Sequence, residues 1–234
     1  MHPSFLESLF LDIHASSDLV AIYPNFEIGK SPKNFLVKKM KDNVKPTYLS
    51  SQKFIKEYFC NDVVLIGVYG LIKTSILKKI GGLVALSQNQ NLYSDIALPI
   101  MISEYGKIGW INKKLIFNRA HSTSRSMADD LENLVQAQNN LFSIVSRVMK
   151  NLSMNPKDLS MCNYKMFTSF AATQMFIISR SRNKFFQSIK RFIVSQNQIC
   201  FYRIKKKYWF IFIFRIKILI AKGILRRIKR KILN

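Results

Sequence analysis

The sequence predicts an α/β domain that is followed by an α-helical region and a basic tail. Over residues 1–126, segments with helical spacing of apolar side chains alternate with short apolar runs that are typical of strands. From about residue 127, apolar side chains recur at helical spacing over much longer stretches. Residues 199–234 interleave Lys and Arg with Phe, Ile and Trp and contain no acidic residue. We therefore expect three regions, with bounds at 1–126, 127–198 and 199–234.

The first region is predicted to run in the order helix, strand, helix, strand, helix, helix, strand. Pro3 suits the first turn of the opening helix, and Gly70 ends the second predicted strand. Gly81-Gly82 stops the short helix that follows, with Gly81 in the left-handed conformation. The predicted helices cover residues 1–14, 51–59, 74–80 and 98–104, and the predicted strands cover 18–26, 62–70 and 107–118.

A long helix is predicted to open the second region. Ser126 and Asp129 resemble a capping box, and an apolar stripe continues from there to about residue 150. Asn155-Pro156 breaks this helix. Two further helices are predicted at about 158–180 and 183–197.

The charge of the chain points to a polyanionic partner. The formal net charge is +24, and Asp158 is the last acidic residue. Because the basic residues of the tail stand among apolar and aromatic ones, an anionic membrane surface suits them better than a nucleic-acid backbone. No motif of a nucleic-acid-binding module accompanies the charge, so nucleic acid is the less favoured partner.

The tail is predicted to lie on a membrane surface rather than to cross the membrane. Its longest apolar run, residues 208–214, is much shorter than a bilayer span, and Arg215 and Lys217 come soon after it. Tyr208 and Trp209 suit the depth of the lipid headgroups. The alternative is a helix that packs on the domain and exposes a basic face to solvent.

The cysteines and the N-terminus favour a cytoplasmic protein with reduced thiols. Cys60, Cys162 and Cys200 lie far apart, without the spacing of a zinc site or a disulfide framework. The first residues lack the basic start and the small-residue cleavage site of a signal peptide.

Candidate site residues concentrate between residues 93 and 127. Asp95 is an acid isolated among apolar residues, and a polar cluster follows the last predicted strand. The cluster contains Arg119, His121, Ser122, Ser124 and Arg125. Each candidate also has a structural interpretation: Asp95 as a helix N-cap, His121 as a hydrogen-bonded structural residue, the arginines as solvated side chains, and the serines as turn or cap residues. Gly70 also has a structural interpretation, since glycine is often required by the local backbone conformation.

Several short motifs occur in an order and at a spacing that resemble one enzyme family. They are His2-Pro3-Ser4-Phe5-Leu6-Glu7, the apolar run from Asp18 to Tyr23, the segment from Gly70 to Gly81-Gly82, Tyr93-Ser94-Asp95, Gly106, and Arg119-Ala-His121-Ser122-Thr-Ser124. Together they resemble the second half of a family-2 glycosyltransferase with a GT-A fold. The resemblance covers roughly half of the chain.

The resemblance implies roles for the candidate residues. Asp95 would be the general base that takes the proton of the acceptor hydroxyl in an inverting transfer. Gly70, Ser124, Arg119, Arg125 and His121 would lie near the substrate and the donor diphosphate, and His121 is also the candidate metal ligand. The family uses a divalent metal, Mg²⁺ or Mn²⁺, to stabilise the leaving diphosphate.

The sequence departs from the family pattern in two places. Ser94 stands where the family has a glutamate beside the aspartate. The Asp-x-Asp motif and the strand–helix repeat that bind the nucleotide-sugar do not occur in the sequence. We therefore expect a partial GT-A-like domain that lacks its nucleotide-binding half, followed by the helical region, in a chain that is inactive alone.

The expected function is transfer of a sugar from a nucleotide-sugar to a saccharide or lipid-linked acceptor in bacterial surface polysaccharide synthesis. The protein would be peripheral on the inner face of the cell membrane, held there by residues 199–234. One alternative is a non-catalytic membrane-surface protein, a transferase remnant. Another, less favoured, is a nucleic-acid-binding protein.

Overall fold

The computed structural model describes residues 1–29, 45–60, 62–63, 65–83, 92–119, 131–180, 217–218 and 220–221. The chain divides into two compact units. One unit comprises Met1–Ala128 and Gln136–Met154, and the other comprises Asp129–Val135 and Asn155–Asn234.

A four-stranded mixed sheet forms the centre of the first unit within the described residues. Its strands are β1 (Leu19–Gly29), β2 (Thr47–Leu49), β3 (Leu71–Ile72) and β4 (Lys107–Arg119). They lie in the order β2-β4-β1-β3, with β1 parallel to β4 and both outer strands antiparallel to their neighbours. Together with its helices, this sheet confirms the predicted α/β class.

Helices connect the strands and cover the sheet. Among the described residues these are α1 (Phe5–Ala15), α2 (Ser51–Cys60), α3 (Thr74–Lys79) and α4 (Ser94–Ile102), and a short 3₁₀ helix, Ser103–Tyr105, continues α4. Two long helices follow, α5 (Leu131–Asn151) and α6 (Pro156–Arg180). Within the described part of the chain, no helix is long and apolar enough to cross a membrane.

Helix α1 covers one face of the sheet. Its apolar side chains, about one turn apart, are buried against β1 and β4 in a cluster made of Phe5, Leu9, Ile13, Leu19, Ile22, Ile111, Leu115 and Ile116. Because successive side chains of a strand point to opposite faces, Ala21 and Tyr23 face away from Ile22 and α1. Both residues are completely buried on that second face.

Polar contacts fasten the C-terminal half of α5 to the rest of the first unit. Glu104 of the 3₁₀ helix accepts a hydrogen bond of 2.8 Å from Asn151 and pairs with Arg147 at 3.8 Å. Gln52 of α2 donates a hydrogen bond of 2.6 Å to the carbonyl oxygen of Leu152. These contacts tie the end of α5, and the residue that follows it, to the 3₁₀ helix and to α2.

Most of the predicted elements of the first region agree with the structure to within a few residues. The long helix to about residue 150 and the helix over 158–180 are also present, as α5 and α6. As predicted, Asn155 lies between the two helices. It is the N-cap of α6, because its side-chain oxygen accepts hydrogen bonds from the N–H groups of Lys157 (3.0 Å) and Asp158 (2.9 Å). Gly81 is left-handed as predicted, with φ 79°, and Gly82 is too, with φ 78°.

One predicted strand is wrong. The described residues between 62 and 70 form bends and a turn, and the strand of this region is the short β3. A β-carbon on Gly67 would lie 2.0 Å from the Asp95 carbonyl oxygen, and one on Gly70 would lie 2.4 Å from the Tyr23 ring. The segment is therefore packed directly on α4 and β1, and these contacts override its strand-like apolar pattern.

The start of α4 also differs from the prediction. The helix begins at Ser94 instead of residue 98, and Tyr93 is its N-cap. Asp95 lies inside the first turn, so its interpretation as the N-cap is wrong. The capping pair Ser126 and Asp129, the helix at 183–197 and nearly all of the tail lie outside the described residues.

Candidate active site around Asp95

Asp95 is the second residue of α4. The backbone N–H groups of Ile96 and Ala97 donate hydrogen bonds of 3.0 and 2.9 Å to the carbonyl oxygen of Tyr93. The backbone N–H groups of Asp95 and Ile96 also lower the pKa of the Asp95 carboxyl group. The partial positive charge of the helix N-terminus also favours a carboxylate at this position. The residue nevertheless remains exposed. A solute can therefore reach this residue at the start of α4.

The backbone directly before Asp95 has an uncommon conformation. Tyr93 has φ 61° and ψ 9°, the left-handed region that costs a residue with a side chain about 1–2 kcal/mol. Gln138 of α5, which is only 3% exposed, donates a hydrogen bond of 2.9 Å to the Tyr93 hydroxyl. The contact with α5 thus helps to set where α4 begins and where Asp95 lies.

The charge of Asp95 acts on Tyr58 of α2, whose pKa it helps to raise. The Tyr58 ring stacks on Phe54, with the ring centroids 5.6 Å apart and the planes at 21°. Phe59 packs edge-on against the same ring at 5.7 Å. Phe54 is completely buried, so the Tyr58 ring rests on a fixed part of the core.

Tyr58 acts electrostatically on Tyr23 of β1. Tyr23 is completely inaccessible to solvent, and its hydroxyl is a buried polar atom without a hydrogen-bond partner in the structure. Gly70 packs on the edge of the Tyr23 ring, where a β-carbon would come within 2.5 Å of two ring carbons. Gly70 therefore belongs to the surroundings of this site, and its glycine identity is explained by the close approach to Tyr23.

The charges of the site follow from its packing. Protein atoms around the Asp95 carboxylate desolvate it and raise its pKa, although solvent still reaches the residue. The two backbone N–H donors oppose this rise. Burial is the main cause that raises the pKa of Tyr58, and the nearby charge of Asp95 adds to it. Burial likewise raises the pKa of Tyr23, with a smaller contribution from Tyr58. Both tyrosines are therefore neutral hydrogen-bond donors at physiological pH.

The structure does not bring all the predicted site residues to Asp95. Arg119 is the exposed last residue of β4 and pairs with Gly29. Tyr23 pairs with Trp110 near the other end of β4, and a strand advances about 3.3 Å per residue. Arg119 and Tyr23 therefore lie near opposite ends of the paired strands β1 and β4. His121, Ser122, Ser124 and Arg125 lie outside the described residues.

The described residues do not form a metal site at Asp95. A divalent cation such as Mg²⁺ or Mn²⁺ is bound by several oxygen ligands. In the part of the chain that the structure describes, no three His, Cys, Asp or Glu side chains are grouped so that they could hold a metal ion. Asp95 is the carboxylate of this site, and the possible ligand His121 is not among the described residues.

Sequence reasoning missed three residues of this site: Tyr23, Tyr58 and Gly67. Tyr23 and Tyr58 had only the appearance of apolar positions in a strand and a helix. Gly67 lies inside a continuous apolar run. A single glycine in such a run was the one sign in the sequence that another part of the backbone packs closely there.

No protein-family model matches this chain, and no curated protein is significantly similar to it. The resemblance to family-2 glycosyltransferases therefore stays a prediction from the sequence motifs.

Proposed function

We propose that the protein acts in glycosyl transfer, with Asp95 as the general base on the acceptor. The acceptor hydroxyl gives its proton to an Asp95 carboxylate oxygen while the hydroxyl oxygen attacks the anomeric carbon of the nucleotide-sugar. The bond from that carbon to the diphosphate breaks, and the nucleoside diphosphate leaves with the electron pair. This direct displacement inverts the configuration of the anomeric carbon.

The observation that carries the proposal is the environment of Asp95. A general base must be reachable by its substrate and basic enough to accept a proton. Asp95 is exposed, and desolvation raises its pKa, so it is a stronger base than an ordinary surface aspartate. The sequence motifs around Tyr93-Ser94-Asp95 supply the choice of glycosyl transfer among reactions that use a carboxylate base.

The donor side of the reaction is assigned only by resemblance. His121 and Ser124 are proposed diphosphate or substrate contacts, with His121 as the possible metal ligand. Arg119 is left out of this proposal, because it lies at the opposite end of β4 from the level of Tyr23. When bound, a divalent metal would supply positive charge to the leaving diphosphate. No step of the reaction is derived through the metal, because the described residues do not form its site.

The test is sugar transfer by the complete protein encoded by the reading frame that contains this chain, in bacterial membranes supplied with radiolabelled nucleotide-sugars. Asp95→Asn keeps the size and the hydrogen-bond acceptor oxygen but removes the base. We expect it to lower the transfer rate about 10²- to 10⁴-fold, the usual contribution of a general base. Asp18→Asn is the matched control, since Asp18 is ion-paired with Lys107 at 2.8 Å on the surface.

Transfer at the wild-type rate by Asp95→Asn would show that Asp95 is not the base. A wild-type protein that neither transfers sugar from any common nucleotide-sugar nor hydrolyses one would contradict glycosyl transfer itself. Equal losses in the Asp95 and Asp18 variants would show a general effect of removing an acid.

The second candidate function is a membrane-surface interaction without catalysis. The observation that favours it is the tail, where Lys and Arg are interleaved with apolar and aromatic residues and no acid follows Asp158. Binding to anionic vesicles without any affinity for nucleotide-sugars would support this function over the first. In both cases we propose a peripheral location on the membrane.

A further inference from the structure

The end of helix α3 is an exposed tip in which basic and apolar side chains lie together. This α3 tip, residues 78–83, contains Lys78, Lys79 and Leu83, and all three residues are exposed. We propose that the α3 tip contacts an anionic phospholipid membrane, with Leu83 between the headgroups and the acyl chains and the two lysines at the lipid phosphates. The first unit would then have a membrane contact of its own, in addition to the tail. The inference rests on the proposed function in one respect, that the protein lies on a membrane.

Hydrogen bonds fix the backbone of the α3 tip. The N–H group of Gly81 donates a hydrogen bond of 3.1 Å to the carbonyl oxygen of Lys78, and the N–H group of Gly82 donates one of 3.0 Å to the carbonyl oxygen of Leu77. Together with the left-handed conformation of Gly81, these two bonds form the Schellman motif, which commonly ends a helix. The chain that leads to Leu83 is therefore held against the last turn of α3.

Leu83 is an apolar residue that the fold leaves uncovered, since it is 53% exposed. In Schellman motifs the residue after the left-handed glycine often packs an apolar side chain back on the helix. Here that residue is Gly82, and a β-carbon on either glycine would have no atom of the described residues outside the turn within 4 Å. The turn therefore projects from its surroundings. A single exposed leucine is common on protein surfaces, so its partner must be inferred from the charges beside it.

The charge beside Leu83 is positive. The sequence contains no acidic residue between Asp62 and Asp95. Within the described part of the chain, neither Lys78 nor Lys79 pairs with an acidic side chain. The Lys79 ammonium group lies 4.5 Å from the centroid of the Tyr105 ring, and Tyr105 is itself 37% exposed. The tip thus combines two exposed cations, an exposed tyrosine and an exposed leucine.

An anionic bilayer surface is the partner that uses all of these side chains. Lysine binds lipid phosphates, tyrosine suits the headgroup depth, and leucine suits the boundary with the acyl chains. A nucleic acid would use the lysines but gain nothing from Leu83. A stable protein partner needs about 800 Å² of surface on each side, which is more than a short tip offers. Lysines in the last turn also complement the helix dipole, but this role requires no exposed apolar neighbour.

The first test removes the apolar side chain from the tip. Binding of the complete chain to sucrose-loaded vesicles of phosphatidylglycerol and phosphatidylethanolamine is measured by sedimentation at several salt concentrations. We expect Leu83→Asn to weaken binding about fivefold and the loss to persist at high salt, because an apolar contact is not screened. The matched control is Leu6→Asn, since Leu6 is 62% exposed on α1, and it should bind as the wild type does.

The second test removes the charges of the tip in the same assay. The double variant Lys78→Gln/Lys79→Gln should bind about 30-fold more weakly at low salt, and the loss should shrink as the salt concentration rises. The matched control is Lys113→Gln/Lys114→Gln, which removes two charges roughly 20 Å along β4 from the end near Tyr105. This control should weaken binding much less.

The third test locates Leu83 in the bilayer directly and does not depend on the affinity of a weakened variant. Leu83→Trp is introduced together with Trp209→Phe, so that the tail tryptophan does not contribute. Its fluorescence should be quenched by lipids brominated on the acyl chains, whereas Leu6→Trp in the same background should show no such quenching.

Three results would overturn the inference: Leu83→Asn binds vesicles as tightly as the wild type, the two lysine double variants lose affinity equally, or Leu83→Trp is not quenched. A larger loss of RNA binding than of vesicle binding in Lys78→Gln/Lys79→Gln would assign the tip to nucleic acid instead. Failure of the proposed function gives a different result. Tip-dependent vesicle binding by a protein without transfer activity would refute the transferase and keep the membrane contact, and active transferase whose tip variants bind normally would do the reverse.

Discussion

Asp95 reduces the stability of the folded protein at neutral pH. Its pKa is raised in the folded state, mainly by desolvation, so the ionised form is less favourable there than in the unfolded chain. The linkage relation gives the sign: the folded protein is fully stabilised by protonation of Asp95 below the unfolded-state pKa, and this contribution is lost as pH rises through the folded-state pKa. A partly desolvated carboxylate of this kind therefore carries a cost in stability.

We predict that Asp95→Asn is more stable than the wild type at pH 7 and that the difference shrinks as pH falls toward the ordinary pKa of an aspartate. The amide is neutral at every pH, so it avoids the desolvation of a charge. Urea unfolding of both proteins at a series of pH values measures the difference. Asp18→Asn should show the opposite sign, because the hydrogen bond from Lys107 is the main cause that lowers the pKa of Asp18. A difference for Asp95→Asn that is independent of pH would contradict the prediction.

At the scale of elements, the placement of Asp95 depends on the contact between α5 and the start of α4. The left-handed Tyr93 is a position at which glycine would be expected, and its hydroxyl accepts the hydrogen bond from Gln138. The side chain that makes the backbone conformation unfavourable thus also provides the contact that helps to maintain it. Helix α5 is in turn fastened by Glu104 and Gln52.

We predict that Gln138→Leu, which nearly keeps the side-chain volume, destabilises the protein by about 1–3 kcal/mol, since it leaves the Tyr93 hydroxyl without this donor. The measurement is a double-mutant cycle of urea unfolding with Tyr93→Phe and the double variant. Residues that share a hydrogen bond should show a coupling free energy of at least about 0.5 kcal/mol. Strictly additive effects would show that the hydrogen bond does not hold Tyr93. The ¹³C NMR chemical shift of the Asp95 carboxyl carbon should also change in both single variants.

The elements show which parts of the fold the sequence could predict. Apolar patterns placed α1, α2 and β4, because the apolar side chains of these elements are buried in the core of the first unit. The pattern failed at residues 62–70, where a continuous apolar run resembled a strand but Gly67 and Gly70 pack on distant residues. It also failed at the start of α4, because a left-handed tyrosine is rare and leaves no mark in the sequence.

At the scale of the molecule, the candidate site is assembled from three separate parts of the chain. Tyr23 comes from β1, Tyr58 from α2 and Asp95 from α4, and each looks ordinary in its own segment. Only Asp95 stood out in the sequence, as an acid among apolar residues. The two tyrosines could not be found without the pairing of β1 with β4 and the packing of α2 and α4 on that sheet.

The most pronounced feature of the whole molecule is its excess of positive charge, which is unevenly distributed along the chain. The net charge is +24, and the residues after Asp158 contribute only positive charges. An anionic surface attracts such a region over a distance comparable to the Debye length, and neighbouring apolar and aromatic side chains add contacts at the interface. Both proposed functions use this property, since a lipid-linked acceptor and a membrane-surface partner lie on the same membrane.

We predict that the tail determines binding to anionic membranes. Replacing Lys205, Lys206 and Lys207 together by Gln should weaken binding to vesicles of phosphatidylglycerol and phosphatidylethanolamine about 100-fold, from about 1 kcal/mol for each lysine near the surface. The matched control replaces Lys38, Lys39 and Lys41 by Gln, which removes the same charge outside the tail and should change binding much less. Sedimentation with sucrose-loaded vesicles at several salt concentrations measures both variants. Equal losses would mean that net charge alone drives the binding, and tighter, more salt-dependent binding to RNA than to vesicles would favour a nucleic-acid partner.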